Sequence, residues 1–295
     1  MEYLPFGETL VDEHSNSFNS PFKYNGKGLD EETGNYYYGA RYYDPKMSNF
    51  ISVDPLAEKT MSAYGYCYNN PVKLTDPTGM SAVDGDFINE QGIKVGSDGK
   101  DDGKLYLIKT SKGDFDSKIE VRPNGITSEE ATTTENFIKA NSGDKEAFAN
   151  NDIAYKNSVE IEGNVKTRQA MVDEVNRDNG MGGLSEANNR EYGGYVNTDG
   201  TVRLETPGVS GTPTSGKSIS MRRDANTKTM FHSHPSGADG GNRYRQGPSP
   251  EDISSAGAGK RTEYVFGRGN GVITIYNGKG VIATMPQESF VKPKE

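Results

Sequence analysis

The chain has 295 residues, among them 36 glycines, three histidines and one cysteine, and its formal net charge is −9. A mean hydropathy of −0.80 and 32% hydrophobic residues imply a lean core interrupted by many turns. The lone Cys67 excludes a disulfide framework and a Cys-rich metal site. The acidic balance argues against a general nucleic-acid surface, which needs clustered Lys and Arg.

The opening residues, MEYLPFGETLVDE, have neither a basic n-region nor an apolar stretch, so no signal peptide is expected. No run approaches the roughly 20 apolar residues of a transmembrane helix, so no membrane segment is expected. The sequence implies synthesis in the cytoplasm and, if the chain is exported, a route independent of a signal peptide.

Residues 1–80 are dense in tyrosine. Short runs such as NYYYGARYYD alternate with Glu-Thr-Gly, Asn-Asn-Pro and Asp-Pro punctuation, the grammar of short strands and tight turns. Read from the residues alone, this is a small β-domain packed by its aromatics. The stretches GLDEETGNYYYGARYYDPKMSNFISVDPLAE and YGYCYNNPVKLTDPTG resemble the Rhs repeat-associated core, across essentially all of residues 3–79. In that family the core closes a large β-cocoon and precedes a variable toxin. The family's self-cleavage signature pairs two Asp-Pro-x-Gly turns. Here Asp54-Pro55-Leu56-Ala57 is followed by 18 residues and then Asp76-Pro77-Thr78-Gly79. The resemblance implies a cut at or just after Met80, next to Gly79, with Asp54 and Asp76 as reactive carboxylates. The departures are Ala57 in place of Gly and the absence of cocoon-building repeats. On the residues alone, the Asp-Pro pairs also serve as ordinary turn starters.

Residues 81–155 read as a polar bridge. INEQGIKVG and KLYLIKT are strand candidates around Gly-Asp turns. The acidic run from Ser97 to Gly103 lacks the pattern of a calcium loop and reads as solvated turns. SEEATTTENFIKANSGDKEAFANN reads as weak helix and linker.

Residues 156–295 read as a compact α+β domain with a mixed or antiparallel sheet and few helices. NVKTRQAMVDEVNRD puts Val165, Met171, Val172 and Val175 partly on one helical face. YGGYV, TVRLE, KSISM, TKTMFHSH, EYVFGR, VITIYN and VIATM are strand candidates, and a short helix is expected from Ser249 to about Ala258.

In TKTMFHSHP, strand alternation turns His232 and His234 to the same face. Two imidazoles there can occupy adjacent corners of a tetrahedral metal site. Asp252 is the natural third ligand, because Ser249-Pro250-Glu251-Asp252 reads as N-cap to N3 of a helix. Zinc is the default ion for two His and one carboxylate. A plain helix cap is the competing reading of Ser249 and Asp252.

His232-Ser233-His234-Pro235 followed by Ser249-x-x-Asp252 resembles the JAB/MPN (JAMM) metallopeptidases. The fourteen residues between His234 and Ser249 exceed the family's spacer, an insertion falling within ADGGNRYRQG that can line the substrate groove. The resemblance implies a Zn2+ ion on His232, His234 and Asp252, a Glu as general acid–base, and Ser249 as donor to the oxyanion. Glu191, in EYGG, fits the Glu best, with Glu205 as runner-up. It further implies hydrolysis of peptide or isopeptide bonds, in some members ubiquitin-like linkages. Together the two resemblances imply an Rhs-type polymorphic toxin with a peptidase tip and a cognate immunity protein. A catalytically silent binding module and a metal-dependent nuclease toxin are the alternatives.

Overall fold

The computed structural model describes residues 2–11, 20–55, 57, 62–69, 71, 76, 79, 86–100, 102–112, 123–214, 218–239, 241–257 and 261–294. They form two compact units, residues 1–84 with 100–103, and residues 85–99 with 104–295. The fold is mixed α+β, with more strand than helix. No helix among the described residues is long and apolar enough to cross a membrane.

The first unit holds a two-stranded sheet of β1 (Glu2–Tyr3) and β2 (Thr9–Val11). It also holds a four-stranded antiparallel sheet of β3 (Gly28–Asp30), β4 (Asn35–Tyr37), β5 (Tyr42–Asp44) and β6 (Asn49–Phe50). Register lines up Leu29, Tyr36, Tyr43 and Phe50 across one face. With Tyr24, Tyr38 and Tyr66 they form the core. Buried phenols need acceptors, and the carbonyls of residues 5–7 supply three: Tyr24 donates to Pro5, Tyr43 to Phe6 and Tyr36 to Gly7. Gly7 has φ +88°, and a Cβ there would run into the Tyr24 ring.

The second unit begins with β7 (Asp86–Ile88), β8 (Lys94–Ser97), β9 (Leu105–Ile108) and, after three helices, β10 (Ser158–Ile161), in the order β10-β9-β7-β8. The helices are α1 (Ser128–Ala140), α2 (Lys145–Asn150) and α3 (Ile153–Lys156). Thr127 and Glu130 form a reciprocal capping box on α1, and Asp144 caps α2, which is why this weakly apolar stretch is helical. Next come α4 (Val165–Val175), β11 (Gly193–Asn197), β12 (Val202–Leu204), β13 (Thr227–His234) and a small hairpin of β14 (Ala238–Asp239) and β15 (Asn242–Arg243). Then follow α5 (Pro250–Ala256), β16 (Glu263–Gly267), β17 (Val272–Asn277), β18 (Gly280–Pro286) and α6 (Glu288–Val291).

The main sheet runs β12-β11-β13-β16-β17-β18. Its β13–β16 pair is parallel and the other pairs are antiparallel, so it is mixed. One face carries Phe231, Tyr264, Phe266, Ile273 and Ile275 against Met171, Val172 and Val175 of α4 and Phe290 of α6. The other face carries Val265, Tyr276 and Val281 against Ile253 and Ala256 of α5.

Residues expected as a polar bridge take part in the larger core, where Ile88, Leu105 and Leu107 pack in one cluster with Phe231 and Phe266. Within the acidic run, Asp101 lies outside the described residues. Asp98 is fully buried rather than solvated, accepting from the Tyr155 hydroxyl. The described part of KSISM is not a strand, because the Ile219 N–H is spent on a side chain, the Glu191 carboxylate.

Leu107 tests the shared core directly. Leu107→Ala should lower the unfolding free energy by about 2–5 kcal/mol, read by urea denaturation of the full chain, and the transition that exposes Phe231 and Phe266 should move with it.

Candidate functional site

β13 runs between β11 and β16, with His232 opposite Gly193 on one side and Val265 on the other. Both histidines are buried, at 5% and 7% exposure. β11 approaches closely here, and a Cβ on Gly193 would meet the Phe231 carbonyl at 2.3 Å and His232 Cβ at 2.9 Å. Glycine at 193 is therefore what leaves the His232 imidazole room beside the neighbouring strand.

The parallel pairing of β13 with β16 demands a crossover, and α5 is part of it. Ser249 caps α5 with Pro250 at its first position. Ser249 Oγ accepts from the Asp252 N–H at 3.1 Å, and Asp252 Oδ2 accepts from the Ser249 N–H at 2.6 Å. This reciprocal box holds the Asp252 carboxylate over the end of β13. His232 Nε2 and His234 Nε2 are 3.3 Å apart. Asp252 Oδ1 is 3.4 Å from the first and Oδ2 is 3.5 Å from the second.

These separations have a simple meaning. Ligand bonds of about 2.0–2.1 Å at tetrahedral angles give ligand–ligand edges of about 3.3–3.4 Å. The two Nε2 atoms stand at nearly that edge and each lies close to a different oxygen of Asp252, so the three residues could hold a metal ion together. Among the described residues they are the one His/Asp/Glu/Cys group so disposed. In the metal-free chain, burial pushes the His232 pKa down, but its hydrogen bond to Asp252 and the charges of Asp252 and Glu191 outweigh this and raise it. Burial likewise works against ionisation of Asp252, yet the two imidazoles hold its carboxyl far below the usual range.

A cleft of about 270 Å3 opens beside the cluster, lined in part by His234, Asp252, Ser249 and Glu191. Glu191 Oε2 accepts from the Ile219 N–H at 2.8 Å, which fixes the carboxylate. Glu205 does not line the cleft. Its carboxylate accepts from the Tyr195 hydroxyl at 3.0 Å and from its neighbour's N–H. Of the two glutamates weighed from the sequence, the fold brings Glu191 to the histidines. Ser249 Oγ caps α5 through a lone pair, which leaves its proton to donate into the cleft.

Sequence reasoning missed the groups that hold the strand end. Asp178, fully buried, accepts from the Ser236 N–H and Oγ at 2.6 Å each. Arg268 donates to the Asp178 carbonyl, and its own N–H to the His234 carbonyl. Gln246 donates to the carbonyls of Pro235 and Tyr244 and accepts from the Gly269 N–H. Long-range pairs of this kind carry no sequence periodicity.

In the first unit, Asp54 and Asp76 come together around buried Arg41, at 3.4 and 3.5 Å from its Nη2. Arg41 Nε donates to the Gly79 carbonyl, and Asp76 Oδ1 accepts from the Gly79 N–H at 2.7 Å. Met80 lies outside the described residues.

No family model matches the chain, and no solved structure matches it. Among known proteins, it is 43% identical over 83 residues to Salivary gland surface protein 1 of Aedes aegypti, covering 28% of this chain and 2% of that protein. It is 40% identical over 87 residues to Toxin subunit YenC2 of Yersinia entomophaga, covering 28% and 9%. It is 39% identical over 87 residues to the tRNA(Glu)-specific nuclease WapA of Bacillus subtilis subsp. natto, covering 27% and 4%. The matched part is thus less than a tenth of each of these relatives.

Gly193→Ala should crowd His232 and cost about 1–3 kcal/mol of stability, with weaker metal uptake, read by thermal unfolding and by metal content after dialysis. Gly28→Ala, where a Cβ meets nothing within 4 Å, is the control and should leave metal content unchanged.

Proposed function

We propose that this chain is the tip of an Rhs-type polymorphic toxin and that its C-terminal unit is a zinc-dependent peptidase or isopeptidase of the JAB/MPN (JAMM) type. The observation that carries the reading is the convergence of His232, His234 and Asp252, whose facing nitrogen and oxygen atoms lie 3.3–3.5 Å apart. The toxin context is supported by relatives named as a toxin subunit and a tRNA nuclease. The matches, 83 to 87 residues long, are about the size of the tyrosine-rich unit that resembles the Rhs core. A delivered effector of this kind acts on a protein in a rival or host cell and requires an immunity protein in its producer.

His232, His234 and Asp252 would hold the zinc ion. Bound there, zinc polarises water and lowers its pKa towards ~7. Glu191, fixed by the Ile219 N–H, takes the proton of the attacking water and returns it to the leaving amine. Ser249 Oγ donates a hydrogen bond to the developing oxyanion, a contribution worth about 3 kcal/mol in other enzymes.

A metal-dependent nuclease is the second reading, favoured by the names of the WapA relatives. Against it stand the net charge of −9 and a carboxylate, Glu191, beside the cluster, where a phosphodiester would bring further negative charge. Incubating the zinc-loaded chain with tRNA and plasmid on one side and a protein mixture on the other separates the two. The peptidase reading expects new protein N-termini and intact nucleic acid.

Glu191→Gln should retain about one zinc per chain and lose about 100- to 10,000-fold in turnover, while His232→Ala should lose both metal and activity. A strong chelator should abolish activity, and stoichiometric zinc should restore it. Full activity in Glu191→Gln would sink its role as base. For the first unit, the same reading assigns Asp54 and Asp76 to a cut beside Met80. Intact mass should then give two fragments for the wild type and one uncut chain for Asp54→Asn.

A further inference from the structure

Among the described residues, the lining of the cleft holds no Val, Leu, Ile or Met. Beyond the groups already assigned a role, it presents Arg190, Arg245, Tyr244, Thr214, Ser218 and Asn189, with Pro213 and Pro235. Such a wall offers little to an apolar side chain and much to a charged or hydrogen-bonding one. Arg190 and Arg245 bring two guanidinium groups into a lining that also holds Glu191 and Asp252. Two such groups in one cleft of an acidic protein favour the approach of an anionic group.

Both arginines sit on loops that side-chain hydrogen bonds have fixed. Arg190 follows a turn in which Asn188 Nδ2 donates to Asn179 Oδ1 and the Gly182 carbonyl, and Asn189 Nδ2 to the carbonyls of Gly183 and Ser185. Arg190 also pairs with Glu186, whose side chain is 73% exposed. Solvent screens the pair from the Glu186 side, so a substrate carboxylate can compete for the guanidinium, whose side chain is 25% exposed. Arg245 lies in the insertion between His234 and Ser249, between Tyr244 and Gln246. Gln246 ties that segment to the Pro235 carbonyl and to the Gly269 N–H, and the β14–β15 hairpin braces its other end. The insertion is therefore a built wall of the cleft, pre-organised to present Arg245.

We propose that the cleft selects an acidic segment, with Arg190 and Arg245 binding a substrate carboxylate beside the amide bond offered to His232, His234 and Asp252. The proposal rests on the peptidase reading for the identity of that bond. Guanidinium is the cation best matched to a carboxylate, which it grips through paired donors. The substrate so defined is a protein segment carrying Asp or Glu next to the scissile position.

The test uses the full chain carrying Glu191→Gln, loaded with zinc, so that nothing is consumed. Three blocked pentapeptides, identical except for a central Glu, Gln or Lys, are titrated by calorimetry. The Glu peptide should bind at least ten-fold more tightly than the Gln peptide and the Lys peptide least. Arg190→Gln and Arg245→Gln should each erase most of the preference, and added salt should narrow it. Equal binding of the three, a preference for Lys, or no binding by zinc-loaded chain would overturn the proposal. So would a short RNA that binds in an arginine-dependent way where the Glu peptide does not. Zinc content is read on the same samples. A chain that takes up no zinc defeats the metal reading, and the peptide ranking, repeated without metal, still stands or falls by itself, because the arginines belong to the chain.

Discussion

Everything at the candidate site follows from one closure, that of the β13–β16 crossover over its own strand end. Because those strands are parallel, the chain must leave β13 at His234, travel, and return through a helix. That return delivers the first turn of α5 above the two imidazoles that strand alternation has turned to one side. The capping box is what converts proximity into aim. One carboxylate both accepts from the Ser249 N–H and faces two histidines.

The closure also crowds polar groups together, an arrangement that the proposed zinc ion would relieve. Two buried Nε2 atoms face one another at 3.3 Å, and neutral imidazoles cannot each satisfy the other and the carboxylate with a limited supply of protons. Burying such groups without full partners is costly. The proposed zinc ion among the three would give each of them a partner at once. The surrounding clamps, Asp178 on Ser236 and Gln246 on Pro235, keep the strand end from relaxing away from this arrangement, as the supporting shell of a metal site must.

The residues closest to the chemistry were the most legible in the sequence. His-x-His on a strand and Ser-Pro-x-Asp at a helix start are local patterns with fixed directions, so their convergence could be read from spacing. Glu191 and Glu205 could not be separated that way, because both precede or follow strands of one hairpin and only the course of the loop carrying Ile219 decides between them. KSISM has strand-like content, yet its described part is loop, since a side-chain carboxylate took the hydrogen bond a ladder would have used. Residues 81–155 read as a polar bridge because their apolar positions are sparse. Ile88, Leu105 and Leu107 are few, but they join a core whose other half lies more than 60 residues further along, and no local window reveals that. Asp178 was silent for the same reason, its partner Ser236 being distant in sequence and irregular in backbone.

That shared core defines the smallest portion of the chain that can be moved as a whole. The sequence read residues 156–295 as a compact domain, but Ile88, Leu105 and Leu107 share one core cluster with Phe231 and Phe266 of the site-bearing sheet. A fragment starting at 156 would lack these three apolar side chains of the shared core. The compact unit that bears the candidate site comprises residues 85–99 and 104–295.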